Sequence, residues 1–193
     1  MKLRLLTTVL VLASSGLATP IKAENPIQLS QLIQKRQCYR CDLSGADLRE
    51  AILNNVDLRH ADLISAKLDS ANLSNAYLTG ANLTNASLGS ANLSNAIIWG
   101  ASLRGANLVA ANLKGANLTY VALNGANLSG AELSGANLNK VSLRQANLSG
   151  ANLSGANLTD ADLGDTNLKN AVLCRTIMPG QDVSNRDCSS SQK

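Results

Sequence analysis

Four cysteines and one histidine are the side chains of this 193-residue sequence best suited to chemistry. Cys38-Tyr39-Arg40-Cys41 has the C-x-x-C spacing of thiol–disulfide exchange, which needs an accessible thiol of lowered pKa. Together with Cys174 and Cys188 it could equally supply two disulfides, or four sulfurs to zinc. His60 stands near Asp57 and Asp62, the residue types of a general-base pair. No G-x-S-x-G, H-E-x-x-H, P-loop or dinucleotide fingerprint is present. The choice among these readings depends on the elements that carry the residues.

Those elements are set by a repeat. From Leu43 every fifth residue is Leu as far as Leu173, with Ile98 the single exception, making 27 uninterrupted repeats. Ala stands two residues before the Leu in 22 of them, the others having Cys41, Val56, Val121, Val141 and Thr166. Asn or Asp lies between in most, and ten of the 14 glycines fall two residues after the Leu. A step of five turns an α-helix by about 140° and scatters the Leu around every side. On a straight strand an odd step sends them to alternate faces. All 27 can be buried only if the chain turns a corner once per repeat, at the position where Gly is permissive. Four right-angled corners close a coil of 20 residues, predicting about seven stacked coils with Leu and Ala inside. Proline cannot donate to the ladder between coils, and Pro20, Pro26 and Pro179 all lie outside the repeats.

The tandem A-(N/D)-L-x-x motif, as in Ala106-Asn107-Leu108 and Ala151-Asn152-Leu153, resembles the pentapeptide-repeat family over about 70% of the chain. The resemblance implies an all-β fold, a right-handed quadrilateral β-helix, and generally no known enzymatic activity. It also brings two further associations. Some members mimic DNA and bind topoisomerases, and many cyanobacterial and plastid members are exported to the thylakoid lumen.

Four segments are expected. Residues 1–23 read as a signal peptide, with Lys2 and Arg4 before an apolar run over 5–17 and a cut after Ala23. The run is too short for a membrane span, which needs about 20 residues. Residues 24–40 contain a capping helix over 26–37. Asn25 suits the N-cap and Pro26 the first turn, while Leu29, Leu32 and Ile33 form the stripe that would cover the first coil. Residues 41–178 are the solenoid, with Met178 its last register position, and 179–193 the C-terminal cap and tail. With Cys38 and Cys41 at one end and Cys174 and Cys188 at the other, about 30 Å of stacked coils separates the pairs. A disulfide needs Cα atoms within about 7 Å. That excludes cross-pairing and a shared zinc site, leaving Cys38–Cys41 and Cys174–Cys188 as disulfides or the first as a redox pair.

Removing Lys2, Arg4 and Lys22 with the signal leaves 14 of the 17 cations against 13 carboxylates. The mature charge near +1 gives no case for nucleic acid. No acidic columns suit a DNA mimic, since Arg104, Asn124 and Arg144 share one line. His60 reads as a solvated corner, and a core filled by Leu and Ala leaves no natural pocket. Residues 20 apart stack, so Tyr77, Ile97, Trp99 and Tyr120 gather on one outer face, either as a partner-binding patch or as aromatics that simply pack well on a pleated surface. The expected function is an exported, non-enzymatic scaffold for an unknown protein partner. No cofactor, metal, nucleic acid or membrane anchor after cleavage is expected, and a monomer is favoured. The alternatives are a redox or assembly factor using Cys38 and Cys41, and the disfavoured DNA mimic. A Sec-type signal is compatible with periplasm, thylakoid lumen or secretion.

Overall fold

The computed structural model describes residues 9–10, 20–21 and 26–188. The signal-peptide reading falls mostly outside them. Within that segment β1 (Val9–Leu10) pairs antiparallel with β2 (Pro20–Ile21). The helix α1 spans Pro26–Lys35, two residues shorter than the stripe predicts. It stops because Arg36 takes a left-handed φ of 52°, and Gln37 already bridges to Asp57 in the solenoid. Leu32 is 1% exposed and Ile33 packs beside it against the first coil.

From Gln37 the chain winds as a four-sided coil. Among the described residues 25 parallel bridges link positions 20 apart, from Gln37–Asp57 to Asn157–Ile177. Each side of the coil is short, so each bridge is a single residue rather than a run of strand.

Why the repeat has its composition follows from its five amides, which the segment 126–130 illustrates. The Ala126 N–H closes the corner onto the Leu123 carbonyl at 3.0 Å, and Asn127 donates down to Ala106 at 2.9 Å. Leu128 and Gly130 donate up to Asn147 and Ser149 at 2.7 and 2.9 Å. That leaves the Ser129 amide, which donates at 3.1 Å to the Oδ1 of Asn127 two residues earlier. A short side-chain acceptor at that position completes the accounting, a local Asx closure that only Asn or Asp makes readily. Glu132 reaches the same place, accepting from the Ser134 amide at 2.9 Å. Stacked Asn side chains then bond between coils: Asn167 donates to Asn147 at 3.0 Å and Asn112 to Asn92 at 3.2 Å.

The inward positions form one continuous core in which nearly every Leu and Ala is below 5% exposed. Thr166 and Thr176, which stand in Ala positions, satisfy their hydroxyls by donating at 2.7 Å to the Leu143 and Leu153 carbonyls.

One solenoid boundary differs from the sequence reading. The solenoid starts at 37 rather than 41, because Cys38, 1% exposed, occupies a Leu position and donates its N–H to Asp57 of the next coil. At the far end the last bridge is Asn157–Ile177, and Met178, the last register position, packs partly against the core. There β3 (Thr176–Ile177) pairs antiparallel with β4 (Val183–Ser184), so the chain folds back instead of beginning another coil.

Candidate functional site

The four aromatic residues of the sequence, Tyr39, Tyr77, Trp99 and Tyr120, stand on a single side of the coil. This side has Leu58, Leu78, Ile98 and Leu118 as its inward column, each below 2% exposed. Outside, three features place the rings. Tyr77 and Ile97 are consecutive bridge residues, joined through Tyr77–Ile97 and Ile97–Asn117. Trp99 lies two residues beyond Ile97 and Tyr120 occupies the next coil's corner with φ 61°. All are well exposed: Tyr77 45%, Ile97 38%, Trp99 48% and Tyr120 52%.

The rings of Trp99 and Tyr120 meet edge to face, centroids 5.9 Å apart at 74°, the arrangement the ring quadrupoles favour. One coil further, Lys140 donates from Nζ to the Tyr120 hydroxyl at 3.2 Å and lies 5.4 Å from its ring centre. That hydrogen bond, with the neighbouring Asp160 carboxylate contributing, raises the Lys140 pKa.

Toward α1 the same side carries residues that the sequence reading did not attach to it. Tyr39 meets His60 at 5.6 Å, 83° apart, and Arg40 lies 5.2 Å from the Tyr39 ring. His60 lies over Gly80, where a Cβ would come within 2.6 Å of its Nδ1. Arg59 grips Asp57 with Nε at 2.9 Å and Nη2 at 2.6 Å, and this holds the Asp57 carboxyl below its ordinary pKa. A groove of about 450 Å³ opens here, lined by Lys35, Arg36, Gln37, Asn55, Asp57, Arg59 and Tyr77. The signal for this extension was present: stepping back by 20 from Trp99 passes Thr79 and Arg59 to reach Tyr39.

The Cys38–Cys41 disulfide brackets Tyr39 and Arg40 but lies beneath them, and Cys174 and Cys188 are at the far end. Cys38 is bonded to Cys41, Cα atoms 5.2 Å apart, and Cys174 to Cys188, 4.6 Å apart. Cys38 and Cys41 are 1% and 5% exposed and belong to the core cluster, with the Cys38 sulfur 3.4 Å from the Gln28 carbonyl of α1. A disulfide so enclosed offers an attacking thiolate little access. Among the described residues no group of three or more His, Cys, Asp or Glu side chains gathers as metal ligands, and no helix is long and apolar enough to cross a membrane.

The family model for pentapeptide repeats matches eight copies, spread over residues 40–108 and 111–182. The chain belongs to the pentapeptide-repeat family. Among solved structures it is similar to HetL of the cyanobacterium Nostoc sp. strain PCC 7120, a pentapeptide-repeat protein involved in heterocyst differentiation regulation. That pair shares 36% identity over 77% of this chain and 78% of the other, at a TM-score of 0.23. A second Nostoc pentapeptide-repeat protein is 43% identical over 39% of this chain and 62% of its own length, TM-score 0.39. One from the thylakoid lumen of Arabidopsis thaliana is 22% identical over 84% and 75%, TM-score 0.15. No curated protein matches. The family implies a right-handed quadrilateral β-helix, and its members are generally structural or interaction proteins rather than enzymes.

Proposed function

We propose that this pentapeptide-repeat protein is an exported, non-enzymatic scaffold whose aromatic side docks a protein partner. The observation that carries this reading is the concentration of every aromatic side chain of the sequence on one rigid side, each near half exposed. Aromatic side chains are the ones most enriched at interface hot spots. Their backbone is held by the coils on either side, so docking would order little that is not already ordered. Export is supported by the pairing of all four cysteines, which persists in oxidising compartments, and the thylakoid-lumen relative is in keeping with it.

The test is recovery of tagged wild-type protein and its Trp99→Ser variant from fractionated native cells. A mature chain beginning at Glu24, together with a partner retained by wild type and lost by the variant, is the expected outcome. Identical co-purifying proteins for both would end the docking role of this side, and an intact Met1 chain in the cytosol would end the export reading.

A further inference from the structure

The aromatic side is also the basic side. Taken in full, with Lys35 and Arg36 at its mouth, it carries the cations Lys35, Arg36, Arg40, Arg59 and Lys140 against the carboxylates Asp57 and Asp160. The remainder of residues 26–188 is opposite in sign, eight cations against ten carboxylates. One of the two carboxylates on the aromatic side, Asp57, is already matched by the two bonds from Arg59. Arg36 turns its guanidinium to the carbonyl and Oδ1 of Asn54, neutral acceptors that leave its charge uncompensated. Positive charge therefore collects at the groove beside α1. At the far end Lys140 is a single further cation that makes no ion pair within 4 Å among the described residues, with Asp160 one coil beyond it. Tyr77, Ile97, Trp99 and Tyr120 lie between.

We propose that this stripe, from Lys35 and Arg36 past Tyr77, Trp99 and Tyr120 to Lys140, binds an extended acidic–apolar–acidic polypeptide segment of the partner. The inference rests on the docking role above and specifies the partner's chemistry. Five coil steps separate Arg36 from Lys140, about 24 Å at about 4.8 Å per coil, and an extended chain at about 3.3 Å per residue covers that with about seven residues. Carboxylates at the two ends of such a segment meet the cations, while apolar side chains in the middle cover the rings. A polypeptide fits better than a flat sugar chain because Trp99 and Tyr120 stand at 74° to each other. They form a notch that takes a branched or aromatic side chain, not a coplanar platform. Charge complementarity of this kind raises association rate and selects partners.

The probe is a fluorescein-labelled peptide, Glu-Glu-Leu-Phe-Leu-Leu-Glu, with a Lys-for-Glu version as its control, followed by fluorescence anisotropy. Saturable binding of the acidic peptide alone is expected, weakening as ionic strength rises from about 0.01 M to about 1 M and the Debye length shrinks from about 30 Å to about 3 Å. The Lys35→Gln/Arg36→Gln double variant and Trp99→Ser should each bind about tenfold more weakly, a loss of about 1.4 kcal/mol. Val109→Ser, on the opposite side of the coil, should bind as wild type does. No binding of the acidic peptide, equal binding of the Lys version, or affinity unchanged in both stripe variants would overturn the inference. So would polygalacturonate binding with the same Trp99 dependence while the peptide fails, since the stripe would then read an anionic glycan. If the peptide fails but a native partner is still lost on Trp99→Ser, this inference falls and the docking role stands; if the native partner also persists, both fall.

Discussion

At a corner, the residue after the outward-facing side chain must adopt positive φ in every repeat, and in 17 of the 27 it is not glycine. Ala110 at 55°, Tyr120 at 61° and Lys140 at 53° all hold it. For a residue with a Cβ the left-handed region costs roughly 1–2 kcal/mol, which Gly avoids at the expense of greater freedom when unfolded. The closed ladder above and below keeps each corner in place. Ala110→Gly is therefore expected to stabilise the protein by about 0.5–1 kcal/mol, the strain released exceeding the entropy lost. The reverse change at Gly130, where an added Cβ meets nothing within 4 Å, should destabilise it by about 1 kcal/mol through backbone strain alone. Urea unfolding with an unchanged slope checks both. A destabilised Ala110→Gly would mean that the corner is relaxed and that its composition reflects something other than φ.

Among the elements, the caps hold what the coils cannot supply for themselves. An end coil has amides on one side only, and α1 covers the first with Leu32 and Ile33. At the other end Cys174–Cys188 closes the fold-back of β3 and β4 over a sequence separation of 14. Closing a loop of about that length removes roughly 3 kcal/mol of unfolded-state freedom. Replacing both cysteines with Ser should lower the thermal midpoint by several degrees while the coils keep their circular dichroism. A midpoint unchanged from wild type would show that the antiparallel pair holds without its staple.

The same elements show how far the sequence could be read. A Leu every fifth residue demands one corner per repeat, so a coil with Leu inside was legible before any coordinate, and the family resemblance supplied its right-handed, four-sided form. The start of the solenoid was not, because Cys38 takes the Leu position with no Ala two residues before it, and a pattern search stops at Leu43. The end of α1 was set by the conformation of Arg36, which residue type alone does not specify. Adding 20 to a residue number found Tyr77, Ile97, Trp99 and Tyr120, but the columns had to be followed back to α1 to reach Tyr39, His60 and Arg59. The groove was hidden for a different reason: it needs the helix placed against the coil, and no repeat encodes that.

For the molecule as a whole, the solenoid behaves as a lattice in which a residue's side is set by its number modulo 20, and its height by the number of coils below it. Core and surface then respond differently to deletion. Removing residues 101–105 takes out one complete repeat, Ala-Ser-Leu-Arg-Gly, and every later Leu still falls inside. Everything after the gap, however, moves to the neighbouring side, so Tyr120 and Lys140 leave the side of Trp99 and Tyr77. Removing residues 141–160 takes out a whole coil beyond Lys140 and leaves the aromatic side continuous. Because each coil contacts only its neighbours, both deletions should fold with the circular dichroism of wild type. Only the five-residue deletion should break the Trp99–Tyr120 contact, seen as a changed tryptophan emission, and lose the partner that depends on Trp99. If the five-residue deletion keeps that partner, recognition does not need the assembled stripe. If the whole-coil deletion loses it as well, the partner reads the length of the rod and not one of its sides.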